Sequence, residues 1–184
     1  MRLFRRDKTH DKPRIVMLCD VSDSVRATSS FMLELVYAAH DLFERTRSFV
    51  FVSDIAETTQ LFERLPAAAA LAEAYASAVN VTSNSNYGRA LRAFENREGA
   101  RLDHRTTLVI LGDGRTNFQD DGAESVKRLR SKVKALYWLC PEPSSGWGIG
   151  DSAMIRYAPH CSRVLEVRTA RDLEDAARLL VRGA

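Results

Sequence analysis

Cysteine is scarce in this chain, and its three copies are not spaced to act together. Cys19, Cys140 and Cys161 form no CxxC pair and lie in or beside apolar runs. That excludes a zinc knuckle or a disulfide framework and reads as small core residues of a reducing compartment. Long hydrophobic runs are also missing: no segment approaches the ~20 apolar residues of a membrane span. The opening MRLFRRDKTHDKP has basic residues but no apolar stretch behind them to make a secretory signal. The expectation is a soluble, cytoplasmic protein with no membrane span. Charge of one sign is not in large excess either. The formal net charge is +3, and the surplus sits in Arg2, Arg5, Arg6, Lys8 and Lys12. Such a run reads as a solvated basic tail over residues 1–13, and no nucleic-acid partner is expected.

What is present is enough apolar material for one core. At 184 residues and 45% hydrophobic content, residues 14–184 make one domain that needs no disulfide or structural metal to fold. RIVMLC (14–19) and TTLVIL (106–111) are short buried-strand runs, each leading into an aspartate, Asp20 and Asp113. SFVFV (48–52) is a second strand, and residues 54–57 pair back beside it. Residues 135–139 and 163–167 complete the strands. Between them, Phe31, Leu35, Ala38, Ala39 and Leu42 recur at three- and four-residue steps over 25–45, the spacing of an amphipathic helix. Further helices are expected from about Thr58, from Pro66 through the alanine-rich stretch, and over 88–96, 123–132 and 170–180. Strands alternating with helices predict a doubly wound α/β sheet, mostly parallel with one antiparallel edge strand and helices on both faces.

In such a sheet ligands bind beyond the carboxyl ends of the strands, where Asp20 and Asp113 are expected. The segment Asp20-Val21-Ser22-Asp23-Ser24 puts a carboxylate and two hydroxyls at alternate positions as strand gives way to helix, so all three can converge. Convergent hard oxygens suit magnesium, with Asp113 supplying a second carboxylate. Two carboxylates balance a divalent charge, and a position stays exchangeable for a partner's Asp or Glu. No nucleophile with a positioned base accompanies them, so no enzyme is expected.

DVSDS, SNSNYGRAL and ILGDGRTN resemble, in order and spacing, the three pieces of the metal-ion-dependent adhesion site (MIDAS) of von Willebrand factor A (VWA) domains. WLCPEP and WGIGDSAMIRYAP resemble the C-terminal part of the CoxE-like branch. The resemblance implies a Rossmann-like VWA fold and a magnesium ion, with manganese or calcium as substitutes. It implies that Ser22 and Ser24 bind the ion directly and that Asp20 and Asp113 bind through or beside water. Ser85 takes the threonine position, and Asn84 and Asn86 flank it as alternative carbonyl donors. Asp23, where the family often has glycine, adds a carboxylate or caps the next helix. With Asn84, Asn86, Arg115, Asn117 and Trp147 it makes a possible partner-binding rim; Trp147, in a glycine-rich loop, is a lid or a partner contact. The resemblance also implies a MoxR-type AAA+ ATPase as partner in maturing or activating a metalloenzyme. Two alternatives are a haloacid-dehalogenase-like phosphatase with Asp20 as nucleophile, which has Ser22 where its second aspartate belongs, and a VWA scaffold with a vestigial metal site.

Overall fold

The apolar runs that lead into aspartates form the middle of a six-stranded sheet. In the computed structural model the described residues are 14–22, 26–43, 45–79 and 86–183, with 26–31, 41, 42, 78, 79 and 183 described as backbone only. The expected tail (1–13) and the candidate residues Asp23, Ser24, Asn84 and Ser85 lie outside them. The strands are β1 (Arg14–Asp20), β2 (Arg45–Phe51), β3 (Ile55–Glu57), β4 (Thr106–Leu111), β5 (Ala135–Cys140) and β6 (Arg163–Glu166). Their order across the sheet is β3-β2-β1-β4-β5-β6, all parallel except the β2–β3 edge pair. The chain thus builds outward from β1 on one side, then crosses back to lay β4 against its other side. That reversal is the topological switch point, and β1 and β4 flank it.

Helices α1 (Arg26–Leu42), α2 (Thr59–Arg64), α3 (Ala67–Val79), α4 (Tyr87–Glu98), α5 (Ala123–Lys132), α6 (Met154–Tyr157) and α7 (Ala170–Gly183) cover both faces. Strand residues alternate between two cores because successive side chains point to opposite sides. Ile15, Met17, Cys19, Val109, Leu111 and Leu139 pack with α1, α3 and α7. Val16, Leu18, Leu108, Ile110, Leu136 and Trp138 pack with α4, α5 and α6. Burial on both sides explains why the central strands read as continuous apolar runs. In α7 the steps Leu173, Ala176, Ala177 and Leu180 supply the inward stripe.

Three elements depart from the sequence expectation. β2 starts at Arg45 rather than Ser48, and α1 stops at Leu42. Thr46 is the cause: its hydroxyl donates to the carbonyls of Ala39 (3.0 Å) and Phe43 (3.3 Å), satisfying helix-end acceptors from the first turn of the strand. α6, in a stretch with no expected element, is one helical turn anchored by Met154 and Tyr157, both fully buried. Among the described residues no helix is long and apolar enough to cross a membrane.

Candidate metal centre

At the switch point, Asp20 ends β1 and Asp113 follows β4 by two residues. Both side chains are buried, at 0% and 2% exposure. A turn past β1 brings Ser22 back onto Asp20: its backbone N–H donates to Asp20 Oδ1 at 2.8 Å, and its hydroxyl bonds the same carboxylate. Asp20 Oδ2 accepts a 2.6 Å bond from the hydroxyl of Tyr87, at the start of α4. The same hydroxyl lies 3.4 Å from Asp113 Oδ1 and accepts the N–H of Gly114 at 3.1 Å. Asp113 Oδ1 also accepts the N–H of Arg115 at 2.9 Å. One phenol therefore ties the ends of β1 and β4 together.

Packing holds that phenol in place. Tyr87 is fully buried, edge-on to Phe51 (5.1 Å) and stacked with Trp138 (6.1 Å), which itself stacks on Tyr157 (4.6 Å). Trp138 donates its indole N–H to the carbonyl of Gly112 at 2.9 Å. Gly112 has no room for a side chain, because a Cβ there would overlap the Tyr87 hydroxyl. The glycine before Asp113 is thus required by the tyrosine at the start of α4.

Two buried carboxylates this close raise each other's affinity for positive charge. Burial first, then the charge of Asp113, lifts the Asp20 carboxyl from 3.8 to about 7, against the opposing pull of the bonds from Tyr87 and Ser22. Burial and the two carboxylates likewise push the Tyr87 hydroxyl well above its usual range, so it stays a donor. Among the described residues no salt bridge reaches Asp20, and no group of three or more His, Cys, Asp or Glu gathers. The donor set is therefore oxygen only: two carboxylates, a serine hydroxyl and backbone. That set fits a hard divalent cation that retains waters, and does not fit a soft one. Both Asp20 oxygens already accept protein hydrogen bonds, so Asp20 suits an outer position.

The other candidates fall in several places. Asn86 caps α4, its Oδ1 accepting from the N–H of Arg89 at 2.8 Å while its amide bonds Gln119. Arg115 grips Glu142 through Nε (2.6 Å) and Nη2 (3.0 Å), and Asp151 through Nη1 (2.8 Å). Asn117 is exposed and its N–H bonds Asp151. Trp147 is half-buried against the core that holds Tyr87 and Trp138. Sequence reasoning missed Tyr87, Glu142 and Asp151, which position the site rather than carry a motif. The one hint to Tyr87 was an aromatic at the first turn of a helix entered from a polar loop.

A family model for the VWA domain containing CoxE-like protein matches residues 1–176. The chain belongs to this family. No curated protein matches the sequence. Among solved structures, this CoxE-like VWA domain is similar to a von Willebrand factor type A protein from Catenulispora acidiphila (TM-score 0.60, 14% identity, 92% of this chain and 42% of that one). It is also similar to proximal thread matrix protein 1 from the mussel byssus with a zinc-occupied MIDAS motif (0.60, 11%, 94% and 48%). A third is the conserved hypothetical protein BatB from Bacteroides thetaiotaomicron (0.58, 12%, 93% and 98%). The CoxE-like domain spans less than half of the first two, and at these identities the likeness speaks for fold alone. No finding favours a haloacid-dehalogenase-type enzyme.

Proposed function

We propose that this CoxE-like VWA domain is a divalent-metal-dependent protein-binding module that takes magnesium between the ends of β1 and β4. The observation that carries the reading is the pair of buried carboxylates, Asp20 and Asp113, joined through Tyr87 and next to Ser22. Ser22, Ser24 and Ser85 would hold the ion by their hydroxyls, with Asp20 and Asp113 beside or behind bound water. Manganese and calcium share the same donor preference. When bound, the ion supplies a Lewis-acid position that a partner's Asp or Glu can fill. Asp20 orients Ser22 and Tyr87, and the aromatic stack behind them keeps water from the network's inner side. VWA domains are in general non-catalytic interaction modules.

Family membership supports a partner class: a MoxR-type AAA+ ATPase, acting with this domain in the maturation or activation of a metalloenzyme. Calorimetric titration of magnesium into the wild type is expected to show one site, lost in Asp113→Asn. Purified MoxR-type ATPase is expected to be retained by the wild type in magnesium and released by Ser22→Ala with Ser24→Ala, or by chelator. Absence of a saturable magnesium site would overturn the metal reading. Equal retention by wild type and double variant would overturn this mode of ATPase binding and leave the metal reading intact.

A further inference from the structure

Among the described residues four large hydrophobic side chains stand exposed: Phe118 (85%), Ile149 (64%), Ile155 (63%) and Val181 (51%). Phe118 and Ile149 belong to the loops after β4 and after β5, and Ile155 lies in α6, which follows the second loop. The loop after β4 is stapled to the loop after β5 at Asp151. The carbonyl of Asp151 accepts from the N–H (3.0 Å) and hydroxyl (3.1 Å) of Thr116, its Oδ2 accepts from the N–H of Asn117 (3.0 Å), and its Oδ1 takes Arg115 (2.8 Å). Ile149 precedes Asp151 by two residues, and a Cβ on Gly148 would lie 3.2 Å from Ile155 Cγ2.

Phe118 is out of place both in its exposure and in its backbone conformation. It sits third in a turn closed by Gln119 N–H to the carbonyl of Thr116 (3.1 Å), with φ of 51° at Asn117 and 59° at Phe118. Two successive left-handed residues favour asparagine and then glycine. Asn117 conforms. A bulky aromatic in the second position is strained, and the Asp151 staple holds the turn in that shape. The side chain is not buried in return. Strain kept to display an aromatic in solvent, next to a charged site, points to a contact surface.

Resting on the metal-dependent reading above, we infer that Phe118, on the loop stapled at Asp151 to the loop that carries Ile149, receives a large apolar side chain of the partner segment whose carboxylate reaches the site. Charge complementarity selects the acid at the ion, and the displayed phenylalanine selects its neighbour. The partner is therefore an extended segment pairing an Asp or Glu with a Leu-, Ile- or Phe-sized residue. Five residues separate Phe118 from Asp113, at most ~17 Å of chain if fully extended. An extended segment advances roughly 3.3 Å per residue, so its two determinants stand a few residues apart.

The test is an array of short peptides with one central Asp, in which each flanking position is varied among Leu, Phe, Ser and Lys. The array is read in magnesium and in chelator. Wild type is expected to retain Asp peptides only with magnesium, and to favour Leu or Phe over Ser at one register on the order of tenfold. Phe118→Gly is expected to lose that preference while keeping the requirement for Asp and magnesium. Its Tm should be unchanged or higher, because glycine relaxes the turn. Wild type that retains Asp peptides with no apolar preference, or Phe118→Gly that keeps the preference, overturns the inference and leaves the metal reading standing. No magnesium-dependent retention at all overturns the inference, and the metal reading falls with it only if calorimetry also shows no saturable magnesium site. If Phe118→Gly alters only self-association in sedimentation, the surface belongs to a second copy and the inference fails.

Discussion

Asp20 is where sequence motif and physical cost meet. Its carboxyl is raised to about 7, whereas in the unfolded chain it titrates near the ordinary carboxylate value. The folded state without an ion thus holds a proton that the unfolded chain releases, and stability falls as pH rises between those two values. The contribution is fully present below about pH 4 and gone above about pH 7, and a shift of this size corresponds to roughly 4 kcal/mol. Denaturant unfolding in chelator should therefore give a lower midpoint at about pH 8 than at about pH 5, and Asp20→Asn should flatten the difference. Parallel profiles for the two proteins would contradict this account of the buried pair. Magnesium should recover part of the loss at the higher pH, since a cation then takes the proton's place. The motif DVSDS was legible because its residues are neighbours in the chain. Tyr87 was not: its role rests on a bond to a residue 67 positions away, and no local pattern encodes that.

Among the elements, α4 is set by a close backbone contact as well as by the side chains it buries. Its Gly88 N–H donates to the carbonyl of Asp120 at 3.1 Å, and Gly122, at φ 67°, faces it across the gap. A Cβ on Gly88 would overlap the Asp120 carbonyl, and one on Gly122 would fall 2.8 Å from the Gly88 Cα. Gly88→Ala should accordingly cost about 1–3 kcal/mol by overpacking and displace Tyr87, one residue before it, from the two aspartates. The check is a paired measurement: the denaturation midpoint should drop and magnesium affinity weaken together. A stable variant that binds magnesium normally would mean α4 does not position the site. Most elements were readable because the apolar pattern tracks burial, as continuous runs in β1 and β4 and as a helical period in α7. The exceptions follow from tertiary bonds. Thr46 ends α1 and starts β2 by reaching back to two carbonyls, and α6 is too short to show a period, existing because Met154 and Tyr157 fill space against the second core.

For the whole molecule, the decisive feature is that the two buried carboxylates stand at the ends of the two strands flanking the switch point, Asp20 closing β1 and Asp113 following β4. β1 is hydrogen-bonded to both β2 and β4, and every other strand is joined through these. An ion held there is bound by the folded sheet and not by any single loop that could form alone. Magnesium should then shift the one cooperative unfolding transition and not a local one. At a free concentration 100-fold above its dissociation constant, a ligand specific for the folded state adds about 2.7 kcal/mol. For a chain of this length that is a rise in Tm of roughly 5–10 °C. Calorimetric melts in chelator and in millimolar magnesium should show a single peak that moves as a unit in the wild type and stays still in Asp113→Asn. A peak that splits, with only a minor component responding, would place the ion on a separately folding loop. An unmoved wild-type peak would make the site vestigial, with the carboxylate pair left to be balanced by the proton on Asp20.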